Sequence, residues 1–236
     1  MDTTKLKLQT MLSTQDELNK VVDPNWRDRG FRWEDAMMVE AVELFDHLPW
    51  KWWKKAPAAV DFEQVKLEAI DIWHFLLSRV LEDHGDEEGL AILAEAFKGH
   101  DDDVATERDP ALIRSAARYF LADVSTQNVR GRDVMGYLYS FVGLLSDLGI
   151  TVDELYTTYV AKTELNRLRW ANGYGAGYMK IWDGQEDNVW LAAHMATLDV
   201  NAPDFKDQVA AGLTLKYNSV VYNANVNVAV AKLAAS

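Results

Sequence analysis

Two acidic pairs set inside apolar sequence, between Trp33 and Ser78, constrain this chain more than any other feature. Glu40 and Glu43 are spaced i,i+3, and so are Glu68 and Asp71. At that spacing a helix projects both members of a pair from one face. The surrounding residues predict helices. Met37, Met38, Val42, Leu44, Phe45 and Leu48 give Trp33–Leu48 a broad apolar surface, which Pro49 ends. Asp61–Glu82 is apolar almost all round, from Val65 and Leu67 to Val80 and Leu81, with Asp61 as its N-cap. Such a helix lies at the centre of a bundle. An unpaired carboxylate buried there costs several kcal/mol, so Glu68 and Asp71 require partners, as does His74.

Four carboxylates converging from two antiparallel helices repel one another unless a cation lies between them. Oxygen ligands of this kind suit Mg²⁺, with Mn²⁺ as a substitute, and such ions bridge phosphate oxygens and activate water. A single ExxE carries little information, because solvated helix faces are rich in Glu. Two embedded pairs with 24 residues between them carry more. A diiron bundle is the competing metal site, but it takes Glu-x-x-His from two helices. Here Asp71-x-x-His74 occurs once, without a second copy. His47, His84, His100 and His194 show no ligand spacing with one another and read as structural or exposed. With no cysteine and no serine in a nucleophile elbow, water is the nucleophile if the chain is an enzyme.

The rest of the chain continues in helices. They are predicted over 4–22, 86–98, 110–124, 130–148 and 151–172. Asp109 and Thr151 serve as N-caps, Glu154 completes a capping box, and Gly173 is the stop. The fold class is all-α: a helical bundle with a central metal site and an irregular C-terminal tail. Residues 1–190 form one domain. Residues 191–236 form an extension of uncertain structure packed on it, with a short helix near Leu191–Leu198. Within that extension, 213–230 alternates in Asn, Val and Tyr, which suits a strand or a partner-facing tail. Asp101-Asp102-Asp103 reads as a solvated charge run.

Three polar groups stand out. Gln15 and Asn19, at i,i+4, are either solvent-facing or a pair of amides that read a base edge. Trp50-Lys51-Trp52-Trp53-Lys54-Lys55 and Ala56-Pro57-Ala58-Ala59 make a connection long enough to suggest function. Lys162, Asn166 and Arg169 form a stripe of donors leading into Gly173-Tyr174 and Lys180. Singly they are ordinary surface residues; on one face beside a glycine-rich loop they suit an anion, although no GxxxxGK[ST] phosphate loop is present. The net charge of −13 argues against a general nucleic-acid binder, not against a single nucleotide. The absence of cysteine excludes disulfides and thiolate metal sites. Neither a signal segment nor an apolar run of about 18 residues is evident, so the chain reads as soluble and cytoplasmic, with no membrane partner.

In order, several segments resemble one family. They are Gln15-Asp16-Glu17-Leu18-Asn19, Asp23-Pro24-Asn25-Trp26-Arg27, Glu40-Ala41-Val42-Glu43, Trp50-Lys51-Trp52-Trp53-Lys54, Glu68-Ala69-Ile70-Asp71-Ile72-Trp73-His74-Phe75, and Lys162…Asn166…Arg169…Tyr174…Lys180 with Glu186-Asp187-Asn188. Together they resemble the dimeric all-α dUTPases of kinetoplastids, some bacteria and phages, within the all-α NTP pyrophosphohydrolase superfamily. The resemblance implies a homodimer in a bacterial or phage-infected cell that hydrolyses dUTP, and dUDP, limiting uracil in DNA and supplying dUMP. It implies Mg²⁺ held by Glu40, Glu43, Glu68 and Asp71, with Glu43 in preference to Glu40 positioning or deprotonating the water. It also implies a uracil and deoxyribose pocket of Gln15, Asn19, Trp53, His74 and Phe75. Lys162, Asn166, Arg169, Tyr174 and Lys180 are then the phosphate clamp. A broader dCTP/dUTP pyrophosphatase of phage type is the alternative enzyme. A non-catalytic helical interaction module, using the tryptophans and the tail, is the alternative from another class.

Overall fold

The computed structural model describes residues 3–55, 59–130 and 134–234, except the side chains of 127–130 and 228–234. Part of the predicted connection after Lys55, residues 56–58, lies outside them. Among the described residues are eight α-helices: α1 Thr3–Val22, α2 Trp33–His47, α3 Phe62–Ala96, α4 Pro110–Arg130, α5 Met135–Asp147, α6 Val152–Ala171, α7 Asp187–Met195 and α8 Phe205–Ala234. Two antiparallel two-residue strands, β1 Ile181–Trp182 and β2 Gln185–Glu186, precede α7. The chain divides into two compact units, Met1–Tyr159 and Val160–Ser236, with the boundary inside α6. No single described helix is long and apolar enough to cross a membrane.

In the first unit α3 is central, as its all-round apolar sequence predicts. It packs against α1, α2 and α5, while α4 packs on α2 and α5. Val65, Ala69, Ile72, Trp73, Leu76 and Val80 are fully buried. The Trp73 ring lies parallel to Phe141, 5.7 Å away, and its indole N–H donates to Met11 Sδ at 3.4 Å. Asp61 caps the helix by accepting the Gln64 N–H (3.2 Å).

The helix predicted to stop near Glu82 and its neighbour predicted to start at 86 are the two halves of α3, divided at Gly85. There φ is 69° and ψ −162°, a conformation open to glycine and strained for any other residue. Beyond the break the second half returns to the first. A Cβ on Gly89 would lie 2.9 Å from Val80 Cγ1, so the close approach depends on a residue without one.

The predicted caps are present at Asp109, which accepts the Ala111 N–H (2.7 Å), and at Thr151, which accepts the Glu154 N–H (3.2 Å). One member of the supposed charge run is a structural cap, since Asp101 accepts the Val152 N–H at 2.8 Å, at the start of α6. Buried His100 supports it by donating to the Ile150 carbonyl (2.8 Å). Helix α4 runs past Val124 because neither glycine nor proline interrupts the sequence before Gly131.

The second unit differs from the sequence reading. Helix α7 begins at Asp187, earlier than expected. Residues 213–230, read as a strand or an irregular tail, lie in α8. The alternation of Asn with Tyr, Ala and Val gives a false period of two. Among the described side chains of α8, Phe205, Val209, Leu213, Tyr217 and Val220 are buried, a helical spacing. Tyr217 stacks on Tyr178 at 4.9 Å. Gly212 lets α8 approach α7, since a Cβ there would fall 2.1 Å from His194 Nε2.

Candidate functional site

Glu40 on α2 and Glu68 and Asp71 on α3 form the candidate metal centre. Each offers a carboxylate oxygen, and the three oxygens lie within 4.8 Å of one another. Oxygens that share a Mg²⁺-sized ion sit about 3.0 to 4.2 Å apart, so small side-chain rotations close the set on one ion. Glu68 is buried, while Glu40 and Asp71 are half-buried. The residues present therefore fit a hard divalent cation. Glu43 is exposed and is not one of the three. His47, read as structural, donates from Nε2 to Glu68 Oε1 (3.3 Å), and this bond raises the imidazole above its ordinary pKa. It stands seven residues after Glu40 on the same helix face, a spacing visible in the sequence.

On the same side of α3, His74 and Ser78 continue the stripe that Glu68 and Asp71 begin. Facing them are Gln15 and Asn19 of α1, which are only 3% and 8% exposed, so the solvent-facing alternative is excluded. Gln15 Nε2 donates to Asn19 Oδ1 (2.9 Å) and Ser78 Oγ (3.1 Å), and Asn19 Nδ2 donates to Ser78 Oγ (2.9 Å). Gln15 Oε1 accepts from His74 Nδ1 (2.7 Å) and from the Tyr159 hydroxyl (3.1 Å). The Tyr159 ring lies against the His74 ring at 4.6 Å. No sequence pattern points to Ser78 and Tyr159, because contacts between residues so distant in the chain leave no periodic signal.

The two predicted aromatic side chains have ring partners of their own. Phe75 is half-buried beside Trp33, 6.3 Å between rings. Trp53 is exposed and meets Trp50 and Trp52 edge-on, at 5.3 and 5.5 Å. Trp50 anchors the group on Phe45 of α2 (5.2 Å).

Asp16, the neighbour of Gln15, collects Lys20 Nζ (2.5 Å), Trp26 Nε1 (3.2 Å) and Arg27 Nη2 (2.9 Å). Burial acts to raise its carboxyl, but Lys20 and Arg27 outweigh it and hold the group below its ordinary value. Arg27 reaches on to Asp86 (3.2 Å), just past the break in α3.

In the second unit the predicted donor stripe is gathered by Glu186-Asp187-Asn188. Lys162, fully buried, donates to Asn188 Oδ1 at 2.8 Å. Arg169 grips Asp187 through two parallel bonds, Nε to Oδ2 (2.9 Å) and Nη2 to Oδ1 (2.8 Å), and donates from Nη1 to Asn166 (3.2 Å). Tyr178 donates its hydroxyl to Asp187 Oδ2 (2.7 Å). Burial acts to raise the Asp187 carboxyl; Arg169, with Tyr178 and Lys162, more than reverses this and holds it below the ordinary range. Tyr174 lies over the Arg169 guanidinium, 5.5 Å from the ring centre, and Lys180 pairs with Glu186 (2.9 Å). Asp187 and Asn188 thus belong to the cluster as much as the cations do. Their sequence signal is the turn before them, Asp183-Gly184, which links β1 to β2 with φ of 51° and 88°.

The family described as dUTPase has a model that matches residues 7–174, more than half of the chain. No curated protein matches it.

Proposed function

We propose, for a chain that belongs to the dUTPase family and is a dUTP diphosphatase, that Glu40, Glu68 and Asp71 hold Mg²⁺ at the phosphates of dUTP. As an enzyme it is not the non-catalytic module considered above. A divalent ion held there, Mg²⁺ or Mn²⁺, would supply charge to offset the phosphate oxygens and lower the pKa of a nearby water. Glu43, exposed one turn beyond Glu40, is the carboxylate that would orient the attacking water and take its proton. dUMP and pyrophosphate are the products, and dUDP is a second substrate.

The observation that carries this reading is the stripe on α3. Asp71 and Ser78 are seven residues apart, about 10 Å along a helix. That is the reach of a nucleoside, with carboxylates at the phosphate end and the amides of Gln15 and Asn19 at the base end. His74 and Phe75 line the base and deoxyribose, and Trp53 offers its exposed ring as a stacking surface. The family resemblance assigns Lys162, Asn166, Arg169, Tyr174 and Lys180 to the phosphates, where such donors would offset the charge that grows in the transition state. The working form is a homodimer.

Pyrophosphate release from dUTP with Mg²⁺ tests the reading. Glu68→Gln should lower kcat by about 100-fold or more and remove the Mg²⁺-dependent rise in Tm that dUMP should give the wild-type protein. A wild-type protein that turns over no deoxynucleoside triphosphate with Mg²⁺ or Mn²⁺ would overturn it. A dCTP rate equal to the dUTP rate would favour the broader pyrophosphatase.

A further inference from the structure

A buried hydroxyl lies between the two amides. Ser78 is fully buried, and its Oγ donates to the His74 carbonyl one turn back, at 2.8 Å. That bond uses its only proton, so the oxygen can only accept from other groups. It accepts from Gln15 Nε2 (3.1 Å) and from Asn19 Nδ2 (2.9 Å). Both amides are therefore obliged to turn their nitrogens toward Ser78.

At its other end Gln15 is held just as firmly. Its oxygen accepts from His74 Nδ1 (2.7 Å) and from Tyr159, whose hydroxyl proton is shared with the Met11 carbonyl (3.0 Å). The other Gln15 N–H goes to Asn19 Oδ1 (2.9 Å). A flip of Gln15 would set its oxygen against the Ser78 oxygen and its N–H groups against the His74 N–H. With two donors and two lone pairs engaged, Gln15 has nothing left for a base. Asn19 keeps one N–H and one lone pair uncommitted to any described residue.

Uracil and cytosine differ in the order of groups they present. N3 carries a hydrogen in uracil and a lone pair in cytosine, and the neighbouring carbon carries a carbonyl in one and an amino group in the other. An amide free to flip accepts either order; a locked amide accepts one. We infer that Ser78 and Tyr159 are positioning residues which lock the Gln15–Asn19 pair in one orientation and so set the preference for uracil over cytosine. This rests on the proposed reading of Asn19 as a base contact.

Steady-state kinetics with dUTP and dCTP at saturating Mg²⁺ test the inference on wild type, Ser78→Ala, Ser78→Thr and Tyr159→Phe. Ser78→Ala removes the acceptor that both amide nitrogens face and leaves Gln15 held only by His74, Tyr159 and Asn19, so the lock loosens and the dUTP:dCTP ratio of kcat/KM should fall about tenfold or more, through KM, with kcat for dUTP within a few-fold of wild type. Tyr159→Phe keeps the ring against His74 and should shift the ratio in the same direction by less. Ser78→Thr keeps the hydroxyl and should restore the ratio. Variants with a lower Tm and an unchanged ratio would overturn the inference while leaving the dUTPase reading intact. If Ser78→Ala does not fold, an unchanged ratio in Tyr159→Phe overturns it equally. A wild-type protein equally active on both bases refutes the lock, and one inactive on every deoxynucleoside triphosphate refutes the functional reading beneath it.

Discussion

Replacing Asp187 by alanine tests whether the second unit is held by its buried ion pair. Asp187 is fully buried and Arg169 is 7% exposed. The substitution removes both bonds from Arg169, the Tyr178 hydroxyl bond, and the bond from the Asn188 backbone N–H to Asp187 Oδ1 (2.9 Å). It takes the Asp187 carboxylate away from a buried guanidinium. Removing one partner of a buried pair costs about 3–5 kcal/mol, a large share of a typical net stability of about 5–15 kcal/mol. At about 2–4 °C per kcal/mol for a chain of this size, Tm should fall by roughly 6–20 °C. Melts followed by circular dichroism, with Arg169→Met and the double variant completing the cycle, isolate the pair itself.

The pH dependence supplies a second check. The Asp187 carboxyl is depressed in the folded protein, so its contribution is present in full above the unfolded value of about 3.9 and is lost as pH falls through the lower folded value. Asp187→Ala should flatten that part of the stability curve. A loss below about 1 kcal/mol, or the same loss in the Arg169→Met background, would refute the reasoning.

Two glycines give further tests. Gly212→Ala places a Cβ against the His194 ring, which is already stacked on Trp190 at 4.7 Å, and should cost about 1–3 kcal/mol in urea unfolding; a neutral result would mean that α7 and α8 separate freely. At Gly85 there is open space around an added Cβ, so Gly85→Ala should cost about 1–3 kcal/mol through backbone conformation alone, and a stabilised variant would refute the assigned φ.

The parts of the fold that were legible are those governed by local rules. Pro49 ended α2, Asp61 and Thr151 capped their helices, and an apolar surface all round α3 put it at the centre. Helix α8 was not legible because Asn alternates with Tyr, Ala and Val over 222–228 and mimics a strand, while the packed residues recur every three or four. In the candidate site, i,i+3 spacing was enough to bring Glu68 and Asp71 to one place, and Glu40 joined them from the neighbouring helix. The partners of Gln15 were not readable, since Ser78 and Tyr159 lie 63 and 144 residues away and no short-range pattern links them. The Asp-Gly turn that places Asp187 was present in the sequence as an ordinary hairpin signal.

Asp16 gives α1 a second, non-parallel anchor. Successive residues on a helix point about 100° apart, so Asp16 and Gln15 look in different directions. One is tied to Trp26 and Arg27, the other to Ser78 and His74. A rod fixed by one pin can still turn about its axis; fixed by two pins on different sides, it cannot. The ion cluster therefore clocks α1, and the amides keep their heading because the helix beneath them has no freedom to rotate. Lengthening the chain by one residue between Leu12 and Gln15 would move both pins together, whereas one residue inserted between Asp16 and Asn19 would turn one amide away from its hydroxyl while leaving the other in place.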